Sequence, residues 1–122
     1  QHIPLHATSN GKVLLSGLPT ERLGEVLHGL PAYTELTITK RSALRRELES
    51  VRQQGYAVAV DELEIGLTAV AAPIHNAHGD VIASLSVSGP TFRLNAAKLE
   101  QVVPQLCESA AEISHRLGWG HR

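Results

Sequence analysis

Apolar residues recur at helical spacing along the first third of the chain. The run Thr8-Ser9-Asn10-Gly11 supplies hydroxyl and amide side chains that cap helices, and apolar residues follow it directly, so a helix is predicted to begin near Ser9. Pro19-Thr20 interrupts that segment and is suited to open a second helix. The apolar positions of the second helix form one core-facing stripe at i, i+3, i+4 and i+7: Leu23, Val26, Leu27 and Leu30.

Two further helices are predicted, one before and one after a region of strands. Ser42 can cap a helix that has an apolar side and stops at Gly55. Asn95 can cap a long closing helix that stops at Gly118. The apolar positions of the closing helix keep one face for nearly its whole length: Leu99, Val102, Val103, Leu106, Ala110, Ile113 and Leu117.

Between these helices the pattern changes to short stretches rich in valine, isoleucine and small residues, which is typical of strands. The turn residues from Asn76 to Asp80 join the last two stretches as an antiparallel hairpin, and Gly89-Pro90 is predicted to end the third. The class is therefore α/β (α+β), with helices flanking an antiparallel sheet. The three predicted strands are Tyr56 to Val60, Leu67 to Ile74 and Val81 to Ser88.

The third strand has two different faces, because side chains alternate along a strand. The first group is predicted to pack against helices: Val81, Ala83, Leu85 and Val87. The second group carries three hydroxyls: Ile82, Ser84, Ser86 and Ser88. Two interpretations of the serines stay open, the solvated side of an antiparallel sheet and a hydroxyl-lined pocket.

Composition restricts the functions that this chain can perform alone. With 122 residues, 43% hydrophobic residues and a net charge of -1, it has the size of one domain. Only 3% of residues are aromatic, so stacking platforms for nucleic acid are lacking, and the nearly balanced charge gives no strong basic field. The charges from Lys40 to Arg52 are expected to form a solvated face; a DNA recognition helix is the alternative, but interspersed glutamates neutralise its field.

The ends of the chain and its cysteine content point to a cytoplasmic location. The start Gln1-His2-Ile3-Pro4 lacks the parts of a signal peptide, no apolar run is long enough to span a membrane, and Cys107 is the single cysteine. The absence of methionine is expected for a fragment of a longer protein; a processed initiator is the alternative.

Four segments stand out along the chain: Pro4-Leu5-His6-Ala7-Thr8 with Gly11-Lys12; Gly55-Tyr56-Ala57 with Glu62 and Gly66; Ala71-Ala72-Pro73 before a turn with Gly79; and Ser86-Val87-Ser88-Gly89-Pro90. In this order and at these spacings, over essentially all of the chain, they resemble the C-terminal effector-binding domain of the IclR family of bacterial transcription regulators.

The resemblance implies a GAF-like domain that binds a small effector and takes part in a homodimer or homotetramer. A winged helix-turn-helix normally precedes this domain, so DNA would be bound only through a part that this chain lacks. The resemblance also implies that residues 1–122 are the C-terminal part of the effector domain, with the sheet truncated at its N-terminal side and one edge free.

The resemblance further places an effector pocket at the start of the first helix, the loop and strand around Glu62 to Ala69, and the serines, which gives Ser9, Asn10, Leu67, Ala69, Ser86 and Ser88. Gly11 is a candidate on physical grounds, because it would supply a helix N-terminal N–H group together with Ser9 and Asn10. Ala59 stands where family members that bind small oxo-acids can carry an aspartate, and Asp61 or Glu62 could substitute for it. Glu62 also has a purely structural interpretation, as a cap for backbone N–H groups or the partner of an arginine. The expected effector is a small organic acid bound by helix N-terminal N–H groups and serine hydroxyls.

Rival functions have weaker support. His75 and His78 on a polar loop could be metal ligands and Ser86 a nucleophile, but neither has the usual setting, so no enzyme activity, metal or cofactor is expected. A ligand-free oligomerisation or signalling module is the other alternative, because Ala59 removes a polar contact. Small residues at Ala59 and Ala69 favour an aromatic acid over pyruvate or glyoxylate.

Overall fold

The computed structural model describes residues 4–27 and 29–120, and the side chains of Glu25 and Val26 lie outside that description. Helices pack on both faces of an antiparallel sheet, which confirms the α+β class and the predicted order of helices, three strands and a closing helix. No helix in the described ranges is long and apolar enough to cross a membrane. The elements are a 3-10 helix Leu5–Ala7, α1 Ser9–Ser16, α2 Thr20–Val26, α3 Arg41–Gln54, β1 Ala57–Val60, β2 Leu67–His75, β3 Val81–Pro90 and α4 Ala96–Arg116.

The helices near the N-terminus begin and end close to the predicted positions, with two corrections. Helix α1 starts at Ser9 as predicted. Helix α3 starts at Arg41 with Lys40 at its N-cap, so the prediction that Ser42 caps it was wrong. Helix α2 is shorter than predicted and leaves Leu30 outside it. Three of the four stripe positions nevertheless pack in one apolar cluster of buried and half-buried residues, and the fourth, Val26, has a side chain outside the described part of the chain. The cluster includes Leu15, Leu23, Leu27, Leu30, Leu44 and Leu48.

The three strands form one sheet in the order β1-β2-β3, with both neighbouring pairs antiparallel. Strand β3 is longer than predicted, since Gly89 and Pro90 continue it and Pro90 pairs with Leu67. Proline has no N–H to donate, and an edge strand such as β3 tolerates it because one side of the strand has no partner in the sheet.

The two faces of the sheet hold separate apolar clusters. Helix α4 covers one face, where Val70 and Ala72 pack with Leu106 and Ala110. Cys107 is half-buried beside this cluster. Helices α1 and α3 cover the other face, where the buried residues are Val13, Val51, Ala57 and Ala71. The sheet is therefore the middle layer of the domain, and α1 and α4 lie on opposite sides of it.

A register shift near the start of β3 corrects the predicted faces of that strand. Ile74 pairs with Ala83 but His75 pairs with Val81, so one residue of β3 is left over. Ala83 packs on the α4 side as predicted, whereas Val81 packs against the cluster on the α1 side. The prediction that Val81 and Ala83 share a face was wrong, because a bulge moves the residues before it to the opposite face.

The apolar stripe of α4 is buried over only part of its predicted length. Leu106 and Ala110 are buried, whereas Ile113 and Leu117 are 38% and 47% exposed. The helix ends at Arg116, and Gly118 follows with a positive φ of 100°, as expected for the predicted stop.

Candidate functional site

A cavity of about 150 Å³ lies between the start of α1 and the face of the sheet that α1 covers. One wall comes from the chain around the start of α1, and the other comes from all three strands and the loop after β1. The residues that line it are Ala7, Thr8, Ser9, Asn10, Ala59, Leu63, Leu67, Ala69, Ser86 and Ser88.

The first two residues of α1, Ser9 and Asn10, line this cavity. Thr8 is the N-cap in extended conformation, and its hydroxyl accepts a hydrogen bond of 3.0 Å from the Gly11 N–H. The helix itself provides no acceptor for the N–H groups of Ser9 and Asn10, because the first residues of a helix lack a preceding turn. These two groups carry the partial positive charge of a helix N-terminus.

The opposite wall consists of small side chains in register across the sheet. Ala69 of β2 pairs with Ala59 of β1 on one side and with Ser88 of β3 on the other. Ser86 pairs with Ala71 one step further along the same face. Larger side chains at these positions would fill the space between the sheet and α1, so the run of small residues creates the cavity.

Asn10 connects the helix to the serine face of β3. Its Oδ1 accepts a hydrogen bond of 2.5 Å from the Ser84 hydroxyl, and its Nδ2 donates one of 3.1 Å to Ser86 Oγ. The hydroxyl face of β3 is thus part of a polar contact with α1 and one wall of a cavity. Asn10, Ser86 and Ser88 are exposed, so the serine face of β3 is solvated and at the same time forms one wall of the cavity.

Most of the residues predicted for the effector pocket come together in the cavity lining. Seven of them line it: Ser9, Asn10, Ala59, Leu67, Ala69, Ser86 and Ser88. Three do not, namely Gly11, Asp61 and Glu62, and the geometry gives each a structural role instead.

Gly11 and Asp61 have structural roles: Gly11 allows two helices to pack closely, and Asp61 stabilises a turn. A Cβ on Gly11 would lie 2.2 Å from the carbonyl oxygen of Leu5, so this glycine allows the 3-10 helix and α1 to touch. Asp61 Oδ1 accepts hydrogen bonds of 2.8 Å from both the Gly66 N–H and the Thr91 hydroxyl. These contacts close the loop between β1 and β2.

Glu62 belongs to a buried ion cluster beside the cavity. Its Oε2 accepts a hydrogen bond of 2.8 Å from Lys12 Nζ, which also donates to Glu47 Oε2 at 2.8 Å and to the carbonyl of Val58 at 3.0 Å. The predicted structural interpretation of Glu62 named an arginine as its partner, and the partner is Lys12 instead.

Burial makes the carboxyl group of Glu62 easier to protonate. Loss of hydration raises the pKa of this carboxyl above its ordinary value, and the hydrogen bond and charge of Lys12 oppose that shift without cancelling it. Glu62 Oε1 is buried without a hydrogen-bond partner among the described residues, so one oxygen of the carboxylate is poorly solvated.

The lining includes three residues that the sequence did not single out as site residues. Ala7 and Thr8 lie in a segment that the sequence did mark as a motif, and their position before the predicted helix start was the available signal. Leu63 lies in the loop after β1, and nothing in the pattern of that loop points to the cavity.

The cavity has the chemistry of a binding site. None of its lining residues has a charged side chain, and its polar groups are hydroxyls, one amide and the helix start. Ser86 Oγ is paired with the Asn10 amide rather than with a base, which is not the setting of an activated nucleophile.

The histidine loop gives no support for a metal site. Between residues 4 and 120, excluding His28, no group of three or more metal-ligating side chains occurs. His75 stacks on Trp119 with ring centroids 4.5 Å apart, and burial lowers the pKa of its imidazole.

Comparison with known proteins gives the family. Residues 1–115 match the family model described as the bacterial transcriptional regulator IclR C-terminal. The chain is 39% identical over 118 residues to the HTH-type transcriptional regulator KdgR of Escherichia coli (strain K12), covering 95% of this chain and 45% of that relative. That relative is a transcription regulator, which agrees with the expectation that this chain is not an enzyme.

Two solved structures have the same fold as this chain. The crystal structure of the C-terminal domain of E. coli KdgR has a TM-score of 0.87 and 38% identity, covering 98% of this chain and 74% of that one. The inducer-binding domain of a PobR double mutant from Acinetobacter, in complex with 3-hydroxybenzoic acid, has a TM-score of 0.86 and 40% identity, covering 92% of this chain and 66% of that one.

The chain spans a little under half the length of the curated KdgR relative that it matches. The match to the family model nonetheless extends over nearly the whole chain and includes every strand and every residue that lines the cavity. The chain therefore belongs to the family of C-terminal, effector-binding domains of IclR-type bacterial transcriptional regulators.

Proposed function

We propose that the chain binds a small organic acid in the cavity between α1 and β3 as the effector of a transcription regulator. The observation that carries this proposal is the convergence of neutral hydrogen-bond donors on a cavity whose lining includes no charged side chain. The donors are the N–H groups at the start of α1 and the hydroxyls of Ser86 and Ser88. A carboxylate can accept from all of them.

Charge and geometry favour an anion over a cation at this site. The start of α1 carries a partial positive charge, and anions bind well at helix N-termini. A ligand ammonium would find no carboxylate in the lining. Asp61 and Glu62, two acidic residues of the loop after β1, already bind Thr91 and Lys12.

The volume limits the size of the acid. Apolar cavities of about 150 Å³ accept a single benzene ring, and the cavity here has a similar volume of about 150 Å³. Ala59, Leu63, Leu67 and Ala69 give it an apolar wall suited to a ring or a short alkyl chain. We therefore propose a monocyclic aromatic acid ahead of pyruvate or glyoxylate, and the 3-hydroxybenzoic acid bound by the related PobR domain supports this order.

We also propose three properties of the parent protein on family membership alone. The parent protein is a cytoplasmic homodimer or homotetramer. It contacts DNA through a winged helix-turn-helix that precedes this part of the effector domain. Binding of the effector shifts the DNA-binding equilibrium by about 1–3 kcal/mol. The ligand-free module expected as the alternative would have a collapsed or fully apolar cavity, and the hydroxyl-lined cavity does not favour it.

Thermal unfolding of the 122-residue chain with a panel of aliphatic and aromatic monocarboxylic acids tests the site. An acid present at 100 times its dissociation constant is expected to add about 2.7 kcal/mol to the free energy of unfolding. The double variant Ser86→Ala, Ser88→Ala is expected to lose most of that increase, whereas the exposed α3 variant Ser50→Ala is expected to keep it. If no acid raises the unfolding temperature, the site does not bind this class of ligand.

A further inference from the structure

The two edges of the sheet differ in whether their backbone groups already have partners. At the β1 edge, the carbonyl of Val58 accepts a hydrogen bond of 3.0 Å from Lys12 Nζ. The carbonyl of Tyr56, directly before β1, accepts one of 2.9 Å from Gln54 Nε2. Side chains of α1 and α3 thus occupy acceptors along this edge, and the strand is only four residues long. The β1 edge is therefore poorly suited to accept a further strand.

The register of β3 identifies the backbone groups that point away from β2. The Thr91 N–H donates to the carbonyl of Gly66 at 2.7 Å, which makes these two residues a hydrogen-bonded pair just after the end of β3. Hydrogen-bonded and non-hydrogen-bonded pairs alternate along an antiparallel ladder. Every second residue before Thr91 therefore bonds to β2, and the residues between them direct their N–H and C=O groups outward. The outward residues are Ser84, Ser86 and Ser88.

The outward edge of β3 is open. Within the described ranges, no residue forms a hydrogen bond with the backbone groups that these three serines direct outward. The strand is ten residues long and has no charged side chain that would keep another strand away, and its proline, Pro90, is its last residue. Ile82 and Val87 are 53% and 40% exposed. A long, uncharged edge of this kind is a template for pairing with another strand.

The outward residues of β3 are complementary to those of a second copy. When two β3 strands run antiparallel with Ser86 opposite the partner's Ser86, Ser84 lies opposite the partner's Ser88. Each outward N–H group then meets an outward carbonyl group of the partner, and none is left unpaired. On the face that α4 covers, Leu85 lies opposite the partner's Val87, and apolar pairs across strands stabilise a sheet.

We propose that the β3 edge is an interaction surface for a second copy of this chain, which pairs through its own β3 and joins the two sheets into one. Ser86 and Ser88 line the cavity and are exposed in the single chain. In the pair, the partner's Ser86 and the partner's Ser84 lie beside them on the same face. The partner's strand therefore extends the hydroxyl wall of the cavity.

Sedimentation velocity of the 122-residue chain over a range of micromolar concentrations tests the pairing, and the wild type is expected to form a dimer. Val87→Lys places a charge opposite the partner's Leu85 and is expected to raise the dimer dissociation constant at least about 10-fold. Val60→Lys changes a valine of similar exposure, 37%, on the β1 edge and is expected to leave the dimer intact. A monomeric wild type, or equal weakening in both variants, would overturn the proposal.

Amide hydrogen exchange measured by NMR identifies the surface that pairs. The outward N–H groups of Ser84, Ser86 and Ser88 are expected to exchange at least about 10-fold more slowly in the wild type than in Val87→Lys. The Leu85 N–H bonds to β2, so its protection is expected to persist in the variant and shows that the variant is folded. A dimer whose serine amides exchange as fast as in Val87→Lys associates through another surface, and the proposal then fails.

The pairing is independent of the proposed function. Neither measurement uses a ligand, so a chain that dimerises through β3 but binds no carboxylic acid contradicts only the proposed function. A chain that binds benzoate but stays monomeric contradicts only the pairing.

Discussion

Lys12 Nζ lies 2.8 Å from Glu62 Oε2, and this ion pair joins the helix on one side of the cavity to the loop on another. The side chain of Lys12 is fully buried and that of Glu62 is 13% exposed. Lys12 also pairs with Glu47 of α3. One buried ammonium therefore holds three elements around the proposed site, although it does not line the cavity itself.

Lys12→Met is expected to lower the free energy of unfolding by about 3–5 kcal/mol, because it leaves Glu62 buried without its partner charge. Urea denaturation at neutral pH measures this loss. Lys98→Met, on the exposed surface of α4, is the matched control and is expected to change stability by no more than about 0.5 kcal/mol. A loss below about 1 kcal/mol in Lys12→Met would mean that the ion pairs of Lys12 contribute little to the stability of the fold.

Stability is expected to depend on pH through Glu62. Its pKa is raised in the folded protein by burial, so the folded state binds the proton more tightly than the unfolded state does. The stabilisation from this group is fully present below the unfolded pKa and is lost as pH rises through the folded pKa. Glu62→Gln removes that titration.

Urea denaturation of the wild type and Glu62→Gln from pH 4 to pH 8 measures this effect. The wild type is expected to lose stability relative to the variant as pH rises above the ordinary carboxyl range. A difference between the two proteins that is independent of pH, or that moves the other way, would show that the charged form of Glu62 is not disfavoured by folding.

Gly11→Ala is expected to destabilise the fold, because the new methyl group would lie 2.2 Å from Leu5 O and 2.4 Å from Leu5 Cα. Backbone atoms must then move, at a cost of at least about 1–3 kcal/mol. Gly24→Ala is the matched control: it lies in α2, a Cβ there meets nothing within 4 Å, and the change is expected to stabilise by about 0.5–1 kcal/mol. Thermal unfolding compares the two, and equal effects would contradict the close approach at Gly11.

Ala59→Asp is expected to weaken binding of benzoate, because it adds a carboxylate to a lining that has no charged side chain. Ala59→Asn adds nearly the same volume without the charge and is the matched control. We expect the dissociation constant measured by calorimetry to rise at least about 10-fold more in the Asp variant than in the Asn variant. Equal losses in both variants would mean that volume rather than charge governs the site.

The sequence predicted the elements of this fold because each depends on local chemistry. Thr8 and Ser9 indicated the start of α1, Asn95 the start of α4 and Gly55 the end of α3, and the structure agrees at each position. Where the prediction for β3 was wrong, the pairing between strands decided the outcome. Val81 lies on the α1 side because of a bulge between β2 and β3, and no local pattern marks a bulge of that kind.

The features of the candidate site also fall into two groups, those that a sequence pattern predicts and those that only the tertiary structure creates. The serines of β3 and the polar start of α1 can be recognised in the sequence, since alternation along a strand and helix capping are periodic features. The partner of Glu62 and the contact between Asn10 and Ser84 cannot, because Lys12 lies 50 residues before Glu62 and Ser84 lies 74 residues after Asn10. Only the packing of α1 against the sheet brings these groups together, and contacts between distant parts of a chain leave no periodic trace in its sequence.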